Sequence, residues 1–282
     1  MGDSVSNGLS FDVEEWFHIL DLPQSPSPES WDGLPKTVER NTQRLLEILQ
    51  ENGTQATFFV LGWVARRYPE LVRSIFAAGH EVASHGDMHC LVYEQGETAF
   101  EEDLRRARGT LGDLTGVAPA GYRAPGFSIG SGTPWAFEAI ARTGFEYDSS
   151  LFPAHRGHGG DPGGERQPHR ISLASGRHLL EFPMSVVSFG PLRIPFSGGG
   201  YLRLFPYAFL RWATRRTNAE HTPVCGYLHP REIDPGHPRL SMPLQRRFKS
   251  YVGLATTESK LRCWLRDFEF LPLADVLRAR RF

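Results

Sequence analysis

The chain has 282 residues, with 31 Lys and Arg against 32 Asp and Glu and a net charge of −1. That balance excludes the basic surplus of a nucleic-acid binder; 40% apolar and 22% charged residues exclude a disordered chain. The length suffices to bury a core without staples, and no run reaches the roughly 18 apolar residues of a membrane span.

Cys90, Cys225 and Cys263 lie far apart with no Cys-x-x-Cys pair, and read as reduced, buried thiols of a cytoplasmic protein. Residues 1–10 carry neither a basic nor an apolar leader region, so no signal peptide is expected.

Residues 9–12 form a short apolar run ending in an acid. After a Pro/Ser-rich loop, residues 37–52 place Val38, Leu45, Leu46 and Leu49 at helical spacing, with Gly53 where a C-cap glycine belongs. A strand is expected at 55–61, a helix at 69–79 opened by Pro69, and a strand at 80–84. A charged amphipathic helix at 97–114 leads to a strand near 121–123, then a helix at 133–143. Residues 154–169 look like a loose loop; 179–182 is a strand, 206–218 a basic helix and 224–228 a strand. Two more helices are expected near 243–251 and 257–268. This alternation predicts an α/β fold with a parallel sheet, open or closed into a barrel, in one domain.

Four expected strands end in ionisable groups: Asp12, with Glu14 and Glu15 close behind; His85, with Asp87 and His89; Arg123; and His229. In parallel α/β folds these carboxyl ends converge on one face, where sites are built. His85 and His89 point the same way if their segment turns helically, a spacing found in zinc sites; histidines also recur at this spacing by chance. With one carboxylate they would leave coordination positions open, the pattern of a catalytic metal. Asp12 and Glu14 are either solvated acids or a base and a ligand with separate jobs. Arg123 is either a surface arginine or the group that orients the base. His229 is either a core histidine or a general acid.

In order along the chain, SFDVE (10–14), ATFF (56–59), GHEVASHGDMH (79–89), GYRAP (121–125) and YLHP (227–230) resemble the polysaccharide deacetylases, family 4 carbohydrate esterases with a NodB-type domain. More narrowly, DVEE (12–15), FVLGWV (59–64), YDSS (147–150), GGGY (198–201), HPREID (229–234) and RFKSYVG (247–253) resemble the subgroup associated with exosortase-linked exopolysaccharide clusters.

The resemblance implies a distorted (β/α) barrel with fewer than eight strands. It implies one domain over 1–282, with a catalytic core at 1–235 and a helical C-terminal extension at 236–282 packed on it. Asp12 matches the base, Arg123 its partner and His229 the acid. His85 and His89 match two metal ligands; Val13 stands where the family commonly has the third, so Glu14 takes that role, with Glu15 as second choice. Gly126, after Pro125, matches the oxyanion N–H donor, and Phe127 replaces the aromatic wall the family has there. Asp148 is a supporting residue, and Trp16, Phe127 and Tyr201 are candidate sugar-stacking surfaces.

The implied cofactor is a divalent metal, zinc first, with Co2+, Mn2+ or Ni2+ as substitutes. The implied partner is an N-acetylated glycan, an exopolysaccharide or its precursor, with loss of acetate. The basic helix at 210–216 would permit peripheral membrane contact. Two alternatives are a hydrolase of small amides or imides on the same fold, and a catalytically silent glycan-binding module.

Overall fold

In the computed structural model, which describes residues 5–20, 22–156, 159–190 and 192–280, strands and helices alternate along the chain. The strands are β1 (Asn7–Val13), β2 (Thr57–Val60), β3 (Glu81–Ser84), β4 (Gly121–Tyr122), β5 (Tyr147–Asp148), β6 (His169–Ser172), β7 (His178–Glu181), β8 (Val186–Phe189), β9 (Leu192–Pro195), β10 (Cys225–Leu228) and β11 (Phe270–Leu271). The helices are α1 (Val38–Glu51), α2 (Gly62–Arg67), α3 (Pro69–Ala77), α4 (Val92–Gln95), α5 (Glu97–Thr115), α6 (Trp135–Arg142), α7 (Gly199–Leu204), α8 (Tyr207–Asn218), α9 (Leu244–Tyr251), α10 (Leu254–Asp267) and α11 (Leu273–Ala279). Two residues of the expected loop at 154–169, 157 and 158, lie outside the described residues, as do 1–4 of the N-terminal segment.

Seven strands pair in parallel in the order β10-β1-β2-β3-β4-β5-β7, and β6 adds antiparallel to β7. This run is the distorted α/β barrel that the family resemblance implies. It does not close by a ladder between β7 and β10. Irregular backbone bridges the gap: the Cys225 N–H donates to Ser185 Oγ at 2.8 Å, and the Tyr227 N–H to the Ser197 carbonyl at 3.0 Å. A separate hairpin, β8–β9, stands beside it.

The period-two pleat sorts β1 into two faces. Leu9, Phe11 and Val13 point outward and pack with Leu45, Leu46 and Leu49 of α1 in the larger core. Ser10 and Asp12 point inward. The same alternation sends Phe58 and Val60 outward from β2 but Phe59 inward, and Leu228 outward from β10 but Cys225 and Tyr227 inward. The interior is thus an apolar cluster around Phe59, Phe182, Cys225 and Tyr227, with polar groups admitted at the carboxyl ends of the strands.

The C-terminal segment contributes more than helices. β11 pairs in parallel with β1, and Trp264 of α10 packs so closely on Gly226 that a Cβ there would stand 3.0 Å from its ring. Among the cysteines only Cys225 is buried; Cys90 is exposed because it lies in the surface loop after β3. Among the described residues no helix is long and apolar enough to cross a membrane.

Candidate active site

Asp12 and Arg123 meet inside the barrel, from β1 and from the residue after β4. Asp12 Oδ1 accepts from Arg123 Nη1 at 2.8 Å, and both side chains are buried. Arg123 is no surface arginine. Its other N–H groups donate to Ser10 Oγ (2.8 Å), the Ser149 carbonyl (3.0 Å), Ser149 Oγ (2.9 Å) and Cys225 Sγ (3.5 Å), and its guanidinium lies 4.1 Å from the Phe59 ring centroid. Five donors thus have five acceptors, which is what a buried guanidinium requires. Burial alone would lower its pKa, but Asp12 outweighs that and holds it charged.

Glu14, His85 and His89 each present a donor atom, all within 4.8 Å of one another, and all three are buried. Glu14 Oε2 lies 2.5 Å from His89 Nε2 and 3.9 Å from His85 Nε2. His85 Nδ1 is 2.8 Å from the Arg123 carbonyl, which can only accept, so Nδ1 carries the proton and Nε2 keeps its lone pair. Burial keeps His85 neutral by lowering its pKa to about 4. Burial would raise the Glu14 carboxyl, but the His89 and His229 rings hold it well below the usual range. Two imidazoles and one ionised carboxylate, buried and convergent, form a donor set that fits a divalent cation of the zinc type.

The two histidines do not converge by a helical turn, as the spacing suggested. Residues 85–89 form a loop in which Gly86 (φ +80°) and His89 (φ +56°) both take left-handed backbone. Asp103 of α5 fixes this loop by accepting the N–H groups of Asp87 (2.8 Å) and Met88 (3.3 Å). Glu15 is spent elsewhere. Its carboxylate accepts the N–H groups of Thr37 (3.0 Å) and Val38 (3.1 Å) at the start of α1, where the helix dipole favours an anion.

On the opposite side stands His229, at the end of β10. Its Nε2 is 3.9 Å from Asp12 Oδ2 and 3.6 Å from Glu14 Oε1. Glu232 holds the other ring edge: its Oε2 accepts the His229 N–H at 2.9 Å and faces Nδ1 at 3.2 Å. Burial would lower the His229 pKa, but Glu14 and Glu232 together raise it above the ordinary value. The sequence reading missed Glu232. The available signal was an acid at the third position after His229, the spacing of a capping box on the short 3-10 turn Pro230–Ile233.

These groups open into one cavity of about 490 Å³. Asp12, Glu14, His85, His89, His229 and the expected Gly126, Phe127 and Tyr201 line it. Arg123, which stands behind Asp12, does not, nor do Trp16, Pro125 and Asp148. Trp16 is buried among Phe17 and neighbouring aromatics, with its indole N–H on the Pro35 carbonyl at 2.9 Å, so it offers no stacking face. Pro125 is buried behind the turn that presents Gly126. Asp148 is buried beside Glu181, where burial raises both carboxyls. It acts at a remove: Ser150 Oγ donates to it at 2.7 Å and accepts the Ala124 N–H at 2.8 Å.

Compared with known proteins, residues 30–147 match the family model described as polysaccharide deacetylase, and residues 149–278 match a domain of unknown function (DUF3473). The cavity draws on both ranges, with Asp12 and Glu14 supplied from ahead of the first. A peptidoglycan deacetylase of Helicobacter pylori is 34% identical over 108 residues, 38% of this chain and 36% of that protein. The chain thus spans only about a third of the length of that relative. A Mycobacterium smegmatis structure assigned to the polysaccharide deacetylases is 25% identical, covering 100% of this chain and 93% of the other with a TM-score of 0.65. A PuuE allantoinase structure has the same fold at 18% identity and a TM-score of 0.66, covering 98% of this chain and 91% of the other.

Proposed function

We propose, for a chain that carries a polysaccharide deacetylase domain, that the protein is a metal-dependent hydrolase removing N-acetyl groups from amino sugars of a polysaccharide, an exopolysaccharide or its precursor, with release of acetate. One observation carries this reading: Asp12, backed by Arg123, the Glu14–His85–His89 cluster and His229 line a single cavity. An acid–base pair flanking a cation site is what hydrolysis of an unactivated amide needs. The whole chain, 1–282, would act as one unit, since both matched ranges contribute to that cavity.

Glu14, His85 and His89 would hold the divalent cation, zinc first. When bound, such an ion supplies Lewis acidity, polarising a carbonyl and acidifying a water. Asp12, paired with and aimed by Arg123, takes the proton of the water that adds to the acetyl carbon. The Gly126 N–H, on the cavity wall, is the donor available to the developing oxyanion, a contact worth about 3 kcal/mol in other enzymes. As the carbon–nitrogen bond breaks, His229 gives its Nε2 proton to the departing amine, and acetate and a free amino sugar result. Phe127 and Tyr201 are the aromatic surfaces present for the sugar.

The test is acetate release from N-acetylglucosamine oligosaccharides and from exopolysaccharide, before and after chelation and with zinc restored. Release that is lost on chelation and regained with zinc is the expected result. No release from any N-acetylated glycan by metal-loaded protein would move the reading to a small-amide hydrolase. Glycan binding without metal or acetate would move it to a binding module.

A further inference from the structure

The cavity is rimmed by cations that amide hydrolysis does not call for. Arg156, Arg231, Arg246 and Lys249 line it together with Arg203, against the carboxylates Asp12, Glu14 and Glu232. Those three acids are already engaged: Asp12 with Arg123, Glu14 with the histidines, and Glu232 with Arg203 at 2.7 Å and with His229. Among the described residues Arg156, Arg246 and Lys249 have no carboxylate partner, and Arg231 reaches only Glu14, at 3.4 Å. Among the described residues that line the cavity the five cations outnumber the three carboxylates, while the chain as a whole carries −1.

Arg246 and Arg156 are also held in place, as is the backbone that carries the exposed Lys249. Arg246 Nη2 donates to the Leu20 carbonyl at 2.8 Å, while its Nε–H is buried with no acceptor. Arg156 lies over Phe127 and Phe152, 4.6 and 4.9 Å from their ring centroids. Arg203 ties the end of α9 to the cavity floor, donating to the carbonyls of Lys249 (3.0 Å), Ser250 (2.9 Å) and Val252 (2.9 Å). Lys249 therefore stands on backbone fixed relative to Glu232.

We propose that this rim is an anion subsite, and that the glycan bears a carboxylate or phosphate on or beside the sugar that reacts. A neutral glycan would leave the like charges of Arg156, Arg246 and the exposed Lys249 without a counter-charge among the described residues, and Arg231 with Glu14 alone. An anion offsets their repulsion and offers oxygens in the paired geometry a guanidinium prefers. The inference depends on the deacetylase reading only for the identity of the reacting group; the charge distribution belongs to the cavity itself.

The test is calorimetric binding to the intact, metal-loaded protein, which reads affinity whether or not acetate is released. Chitotetraose is compared with a heparosan tetrasaccharide, in which glucuronate alternates with N-acetylglucosamine, and N-acetylglucosamine with its 1-phosphate. In low salt at least one anionic probe should bind about tenfold tighter than its neutral counterpart, and the gap should shrink at high ionic strength. The probe showing the gap identifies carboxylate or phosphate. Arg246→Gln combined with Lys249→Gln should lose most of the preference. Equal affinities, or no binding of either anionic probe, would overturn the inference, and so would a preference that survives the double substitution. Failure of the deacetylase reading shows separately, as absence of acetate from every probe.

Discussion

Arg203 Nε donates to Glu232 Oε1 at 2.7 Å, and both side chains are buried. The other oxygen of that carboxylate takes the backbone N–H of His229 and faces its ring, so a fixed chain of charge runs from α7 to the proposed acid. Arg203 holds Glu232 ionised, overcoming the burial that would raise its pKa, and Glu232 helps raise the pKa of His229.

Glu232→Gln keeps the shape and removes the charge. His229 then loses one of the two carboxylates that oppose its burial, and its pKa falls. Activity that requires protonated His229 should drop about ten- to a hundredfold, and the alkaline limb of kcat should move to lower pH while bound metal stays unchanged. Leaving Arg203 buried without its partner should also cost roughly 3 kcal/mol of stability. The pH profile, metal content and urea midpoint check these together; a limb that stays in place would show that Glu232 does not act through His229.

Asp12 and His85 sit in one cavity but should fail differently. Asp12→Asn keeps an acceptor for Arg123 and leaves the Glu14–His85–His89 donors intact, so metal content should hold while turnover falls by orders of magnitude. His85→Ala removes a donor and should lose metal and turnover together. Metal analysis beside acetate release separates the two, and near-normal turnover in Asp12→Asn would remove Asp12 from the role of base.

Much of this site could be read from the chain because polar residues ending apolar runs are conspicuous: Asp12, His85, Arg123 and His229 all interrupt such runs, and parallel strands bring their ends together. Other features leave no periodic trace. β4 and β5 have two residues each, too short to show a period, and β11 is as short again. The convergence of His85 and His89 depends on left-handed backbone at Gly86 and His89, which the spacing alone misrepresents as a helical turn. Arg203 and Glu232 are 29 residues apart and meet only through tertiary packing. Trp16 reads as a stacking surface beside Glu14 and Glu15, yet its indole is turned into the core by the Pro35 carbonyl.

Adjacent acids in the first loop have opposite fates, and substitution should tell them apart. Glu14→Gln removes the carboxylate from the donor set and should lower metal affinity at least tenfold, with little change in the α1 region. Glu15→Gln should leave metal content alone and destabilise the fold by about 1 kcal/mol, because the Thr37 and Val38 N–H groups lose an ionised acceptor at a helix start. Equilibrium dialysis and urea unfolding of both variants give the comparison; metal loss in Glu15→Gln would reverse the assignment.

His80 supplies a pH dependence of stability away from the cavity. Its ring is buried, 5.1 Å from Phe58, and Nδ1 accepts the Ala56 N–H at 3.2 Å, an arrangement open only to the neutral form. Burial pushes its pKa down to about 4, below the roughly 6.5 of an unfolded chain. Between those values the unfolded chain binds more protons, so His80 contributes full stability above pH 6.5 and loses it as the pH falls toward 4, about 3 kcal/mol in all. His80→Asn retains an acceptor near the position of Nδ1 without a group that titrates there. The variant should be less stable than wild type at pH 7.5, and the two urea midpoints should approach one another as the pH is lowered to 4.5. Parallel curves across that range would show that His80 does not supply the acid sensitivity.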